Sequence, residues 1–131
     1  MDLDLNKEFY FLMIIFRDLI RRTKYFYPEM EVMCLYCLTD NWPTYMKFRP
    51  QAIINLSFLD PDKYEAYLAK WLNSDESPFW ASRYAALIGV SNIVQEKHNK
   101  LLLNSCEVCM QDSDSFVSAK ASLIVEKYKY S

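Results

Sequence analysis

The chain of 131 residues contains a single glycine, Gly89. Tight β-hairpins, bulges and phosphate-cradling loops all use glycine for positive φ. Its scarcity argues against a many-stranded sandwich, a dinucleotide-binding α/β fold and a P-loop enzyme. Histidine is as scarce. His98 is the only one, so metal sites built on several histidines are excluded by count. A Cys–His or Ser–His–Asp enzyme would have to use it, yet it sits in a Lys-His-Asn-Lys turn where nothing orients it. Long apolar runs are missing too. The longest, Phe9 to Phe16, has eight residues, whereas a membrane span needs about 20. There is no basic surplus, since 15 Lys and Arg face 17 Asp and Glu for a net charge of −2. Nucleic acid is therefore within reach only of a local patch. The acidic start Met1-Asp2-Leu3-Asp4 does not resemble a secretory signal, which begins basic. The expectation is a cytoplasmic protein with its four cysteines as reduced thiols.

What is present describes a globular chain. Hydrophobic residues make up 52% and charged residues 24%, which excludes disorder. At this length folding buries about two thirds of the unfolded surface, so a single domain over 1–131 needs neither disulfide nor metal. Proline and small polar residues punctuate segments of helical periodicity. From about Asn6 to Phe26, Phe9, Leu12, Phe16, Leu19 and Ile20 recur at spacings of three and four. Glu29–Leu38 reads as a short second helix. Asp40 or Asn41 then precedes Trp42-Pro43 as a cap and first-turn proline, and Pro50 divides Thr44–Phe48 from Gln51–Leu59. Asp60-Pro61 and Ser77-Pro78 are start signals for helices over Pro61–Asn73 and Pro78 to about Val94. After a polar turn, Gln95 to Asn99, helices at about Lys100–Met110 and Ser115–Lys129 close the chain. No segment alternates at period two, so the fold class is all-α with about seven helices.

The last two helix pairs are alike. A shift of 37 residues places Asp75 on Asp112, Phe79 on Phe116, Arg83 on Lys120, Leu87 on Ile124 and Ile88 on Val125. Each unit has a polar turn, an aromatic, a basic residue four later and an apolar stripe. Two helices per period of this size predict a HEAT-like repeat, an α-solenoid fragment in which stacked antiparallel pairs bury one another's apolar faces. An uncapped end of such a stack exposes apolar surface and favours a homodimer.

The stretch Lys70-Trp71-Leu72-Asn73-Ser74-Asp75 followed by Phe79-Trp80-Ala81-Ser82-Arg83-Tyr84-Ala85-Ala86-Leu87 resembles the AlkD-like DNA alkylation repair proteins. Phe116, Lys120-Ala121 and Glu126 with Tyr128 are similar to that family's C-terminal pattern, with the last interval one residue shorter. The similarity covers about Thr39 to Tyr130. It implies HEAT-like repeats whose concave face holds duplex DNA, and excision of alkylated purines. Three departures limit the activity it implies. The family's Trp-Asp-x-x-Asp stretch corresponds to Trp42-Pro43-Thr44-Tyr45-Met46, with Met46 in place of the catalytic carboxylate. Leu123 and Ile124 stand where the family has an aromatic. The family's members are longer and more basic. A thioether cannot stabilise a developing cation as a carboxylate does, so no catalytic residue is assigned and the reading leans away from an enzyme.

Two Cys-x-x-Cys pairs, Cys34/Cys37 and Cys106/Cys109, match a four-thiolate zinc site in number but lie about 70 residues apart inside apolar helices. Buried structural thiols are expected, with no metal and no cofactor. The carboxylates Asp60, Asp62, Asp75, Glu76, Asp112 and Asp114 sit at helix starts, where capping accounts for them. The candidate binding set is basic and aromatic: Trp42, Tyr45, Lys47, Arg49, Trp80, Arg83 and Lys120. Such side chains bind phosphate, stack on bases or anchor a protein partner. The function expected first is a non-catalytic repeat protein binding a macromolecular partner. The alternative is a DNA-binding, alkylpurine glycosylase-like repair protein.

Overall fold

The computed structural model describes residues 2–23, 28–38, 48–75 and 77–129, with side chains from Phe11 onward. Seven α-helices follow in order: α1 (Asp2–Thr23), α2 (Pro28–Cys37), α3 (Arg49–Leu59), α4 (Pro61–Trp71), α5 (Trp80–Glu96), α6 (Lys100–Cys109) and α7 (Ser115–Ile124). A π-helical turn, Val125–Lys129, continues α7. Among the described residues there is no strand, and no helix is long and apolar enough to cross a membrane. The expected cap at Asp40 or Asn41 and most of the expected Thr44–Phe48 segment lie outside the described residues.

Local chemistry explains the helix starts. Asp60 accepts the Lys63 N–H and Pro61 occupies the first turn of α4. Asn99 caps α6 through the Leu102 N–H, and Asp114 caps α7 through the N–H groups of Phe116 and Val117. These bonds satisfy donors that no preceding carbonyl can reach. The Ser77-Pro78 expectation needs correction. Helix α5 begins at Trp80 with no side-chain cap. The carbonyls of Ser77 and Pro78 instead accept from the Arg83 guanidinium, at 2.9 and 3.0 Å.

Helix α3 packs against α1, α2, α4 and α5, and α5 packs against α3, α4, α6 and α7. The α3–α5 pair is the most extensive, and Gly89 lies in it. A Cβ there would meet Ser57 Cβ at 2.9 Å and Leu68 Cδ2 at 3.0 Å, so hydrogen alone fits. Two apolar clusters form the core. One gathers Met13, Ile20, Met30, Phe48, Leu56 and Tyr64, and the other Leu68, Leu87, Val90, Leu102, Leu103 and Val117. Leu38, Phe58 and Trp71 pack against both and join them. Buried Asn55 is paired on both sides: its amide donates to the Met13 carbonyl of α1 and accepts from Gln51.

Candidate functional site

The even-numbered helices are tied by side chains. On α2, Glu31 accepts from Tyr64 Oη at 2.7 Å and Lys63 Nζ at 3.0 Å on α4. On α4, Glu65 accepts from Asn99 at the start of α6. The Cys109 thiol donates to the Leu72 carbonyl at 3.6 Å, across 37 residues. That separation equals the sequence shift, so two residues in register in the repeat touch.

Arg83 and Asp112 make the strongest polar joint. Arg83 Nε lies 2.8 Å from Asp112 Oδ2 and Nη2 lies 3.0 Å from Oδ1, with Nη1 on the two carbonyls described above. Both side chains are about 5% exposed. A bidentate pair of this kind is among the stronger hydrogen-bonded arrangements available to side chains. Burial pushes the Asp112 carboxyl up, but the Arg83 guanidinium and the Asp114 N–H outweigh it and hold the group below its ordinary value. The bond to Asp112 raises the Arg83 pKa further above its ordinary value, against the cost of its burial. Asp112 is therefore an ion-pair partner rather than a helix cap.

The seven candidate residues fare differently. Trp42, Tyr45 and Lys47 lie outside the described residues, as does Met46. Arg49 is half-buried, and its Nη2 donates to the Leu38 carbonyl at 3.1 Å, tying the start of α3 to the end of α2. Arg83 is buried, with its donors engaged inside the molecule. Its equivalent position Lys120 is half-buried on α7 and has no ion-pair partner among the described residues.

Trp80 is 41% exposed and stacks on Phe116 of α7, which is 64% exposed, with ring centroids 5.7 Å apart and 29° between planes. Tyr84 meets Trp80 edge-on at 6.4 Å, and Phe79 flanks it at 6.3 Å. Trp80 and Tyr84 share a face of α5, and Phe116, Lys120 and Leu123 share one of α7, because residues three and four apart are helical neighbours. Sequence reasoning reached Trp80 and Lys120 but missed Phe116 and Tyr84 as site residues. The 37-residue shift carried a signal for Phe116, since it puts that residue on Phe79 beside Trp80.

The remaining chemistry is sparse. Cys34 and Cys37 lie in one core cluster and Cys106 and Cys109 in the other, so the pairs do not converge. Burial pushes the thiols of Cys34 and Cys106 up to about 12 and those of Cys37 and Cys109 up to about 11. Among the described residues no group of three or more His, Cys, Asp or Glu is placed to hold a metal ion. A cleft of about 880 Å³ opens where the ends of α3 and α5 meet the starts of α4 and α6, with His98 on its rim. Its acids (Asp62, Glu65, Glu96) are matched in number by its cations (Arg21, Lys97, Lys100). Compared with known protein families, curated proteins and solved structures, the chain matches none.

Proposed function

We propose that this chain is a non-catalytic helical-repeat module of HEAT type, distantly related to the AlkD-like proteins, that docks a protein partner on the outer face of α5 and α7. The observation that carries this reading is the exposed Trp80–Phe116 stack, extended by Tyr84. Aromatic side chains are enriched among interface anchors because they bury large area at little entropic cost. The repeat part rests on contacts between residues in register, Leu72 with Cys109, and on the packing of α5 against both α3 and α7. Solenoids of this kind serve as extended binding surfaces. Arg83 contributes by locking the turn before α5 to the turn before α7, which holds Trp80 and Phe116 face to face.

A photo-crosslinking amino acid placed at position 116 tests the reading in cells. Val32 on α2 is the control, being 67% exposed against 64% for Phe116. Protease-sensitive adducts from position 116, reduced by Trp80→Ala and far weaker from position 32, are the expected outcome. Equal adducts from both positions would overturn it.

Duplex DNA is the second reading. It is favoured by the cation of Lys120 one turn beyond Phe116 and by the motif around Trp80 and Arg83. Anisotropy with plain and alkylated duplex across a salt series tests it. Steep salt dependence with tighter binding to the alkylated duplex would put DNA in place of a protein partner.

A further inference from the structure

Helix α1 is apolar along two stripes. Met13, Phe16 and Ile20 turn inward to the core, where the Met13 carbonyl accepts from Asn55 of α3. On the other side Phe11, Leu12, Ile15 and Leu19 are 59%, 38%, 54% and 39% exposed. A helix apolar on both sides is ordinarily covered on both, yet the second stripe faces solvent. Charge along α1 is segregated. Residues 2–12 hold Asp2, Asp4 and Glu8 against the single cation Lys7, and residues 13–23 hold Arg17, Arg21 and Arg22 against the single acid Asp18. The first half is therefore net acidic and the second net basic. By register Asp4, Glu8, Leu12, Ile15, Leu19 and Arg22 follow one another at spacings of three and four, so the outer stripe begins acidic, is apolar at its centre and ends basic. Asp18 borders the stripe and shares a surface hollow with Arg21 and Arg22.

From this pattern we infer that the outer stripe of α1 packs on the same stripe of a second copy of this chain, antiparallel about a two-fold axis between Leu12 and Ile15. Leu12 of one copy then meets Ile15 of the other, and Arg22 comes within a turn of Asp4 and Glu8 of the second copy. A two-fold contact needs a surface complementary to itself. A stripe acidic at one end, basic at the other and apolar between meets that need in the antiparallel sense alone, because a parallel pair would set like charges side by side. Leu5, Leu12 and Leu19 recur at seven residues, the spacing of helices that pack along their length. The contact uses no residue of the α5–α7 face, so the two proposals stand or fall separately.

Sedimentation equilibrium of the full chain over a concentration series tests the inference. The parent chain should show a monomer–dimer equilibrium, and Ile15→Glu, at an exposed position, should leave monomer alone. Arg22→Glu should weaken the dimer by about tenfold or more, since it sets acid against acid. Asp4→Lys with Glu8→Lys should weaken it likewise, by setting cation against cation. Mixing these two variants should restore the parent affinity, because each then supplies the charge that the other lacks. Damage to the fold would not be rescued by mixing, and circular dichroism of each variant beside the parent checks that helix content is kept. A parent chain of monomer mass at every concentration would overturn the inference. So would a dimer indifferent to Ile15→Glu, which would place the contact elsewhere. A dimer lost in Ile15→Glu but unchanged by the charge variants would overturn the antiparallel pairing.

Discussion

Arg83, on the first turn of α5, reaches Asp112, which lies 29 residues later in the turn before α7, through two parallel hydrogen bonds of 2.8 and 3.0 Å. One guanidinium thus joins the entrance of α5, the Ser77 and Pro78 carbonyls, and the turn between α6 and α7. Removing a single partner leaves an uncompensated buried charge, which costs about 3–5 kcal/mol. Arg83→Met or Asp112→Leu alone should destabilise the fold by about that much in urea unfolding. The double variant should recover most of the loss, because an apolar pair of similar volume carries no desolvation penalty.

The same pair sets an acid limb. The folded-state pKa of Asp112 is held below its unfolded value, so its contribution is present above the unfolded pKa of about 4 and disappears as pH falls through the folded value. Stability should therefore be flat from neutral pH to about pH 5 and fall below about pH 4. In the Arg83→Met, Asp112→Leu variant that fall should be shallower, measured by urea midpoints at a series of pH values. Glu31, also lowered by its bonds to Tyr64 and Lys63, accounts for part of what remains.

Tyr64 is almost fully buried, and its hydroxyl donates to Glu31 at 2.7 Å. Tyr64→Phe removes the donor while keeping the ring, and should cost about 1–2 kcal/mol. It should also move the Glu31 carboxyl upward toward its ordinary range, since the Tyr64 bond is the largest cause of its lowering. Side-chain NMR titration of Glu31 in both proteins checks the shift.

Alanine for glycine inside a helix ordinarily stabilises by about 1 kcal/mol. At Gly89 the sign should invert, because the added methyl meets Ser57 Cβ at 2.9 Å and the α3–α5 spacing must give. Overpacking of this kind costs about 1–3 kcal/mol. Gly89→Ala should lower the unfolding temperature, and adding Ser57→Gly should return part of it.

The four thiols should resist modification. With pKa values near 11 and 12, the thiolate fraction at pH 8 is about 0.1% or less, and each side chain is buried. A chromogenic disulfide reagent should leave the folded chain unlabelled over minutes and count four thiols in denaturant. Rapid labelling of two thiols in the folded state would show that one Cys-x-x-Cys pair opens to solvent.

Composition and periodicity were enough for the all-α class, for the boundaries of α3, α4 and α6 to within a residue or two, and for the caps Asp60 and Asp114. These properties are local. An acid beside a proline, or an apolar residue every three or four positions, acts on the nearest few residues of backbone. The end of the chain departed from its pattern: the expected helix to Lys129 becomes π-helical from Val125, where Val125 is buried and Lys129 engages Asn104 and Glu107 of α6.

Which cations face solvent was decided by tertiary structure alone. In sequence Arg83 and Lys120 are equivalent, each four residues after an aromatic. In the fold Arg83 finds a carboxylate at the next turn and is drawn inward, while Lys120 stays beside exposed Phe116 and Leu123. The difference depends on where Asp112 arrives in space, which follows from how α6 stacks on α4 and α7 on α5. Helical periodicity can say that a residue lies on a given face. It cannot say what the neighbouring helix brings to that face, and that partner decides whether a charge is neutralised within the fold or left at its surface.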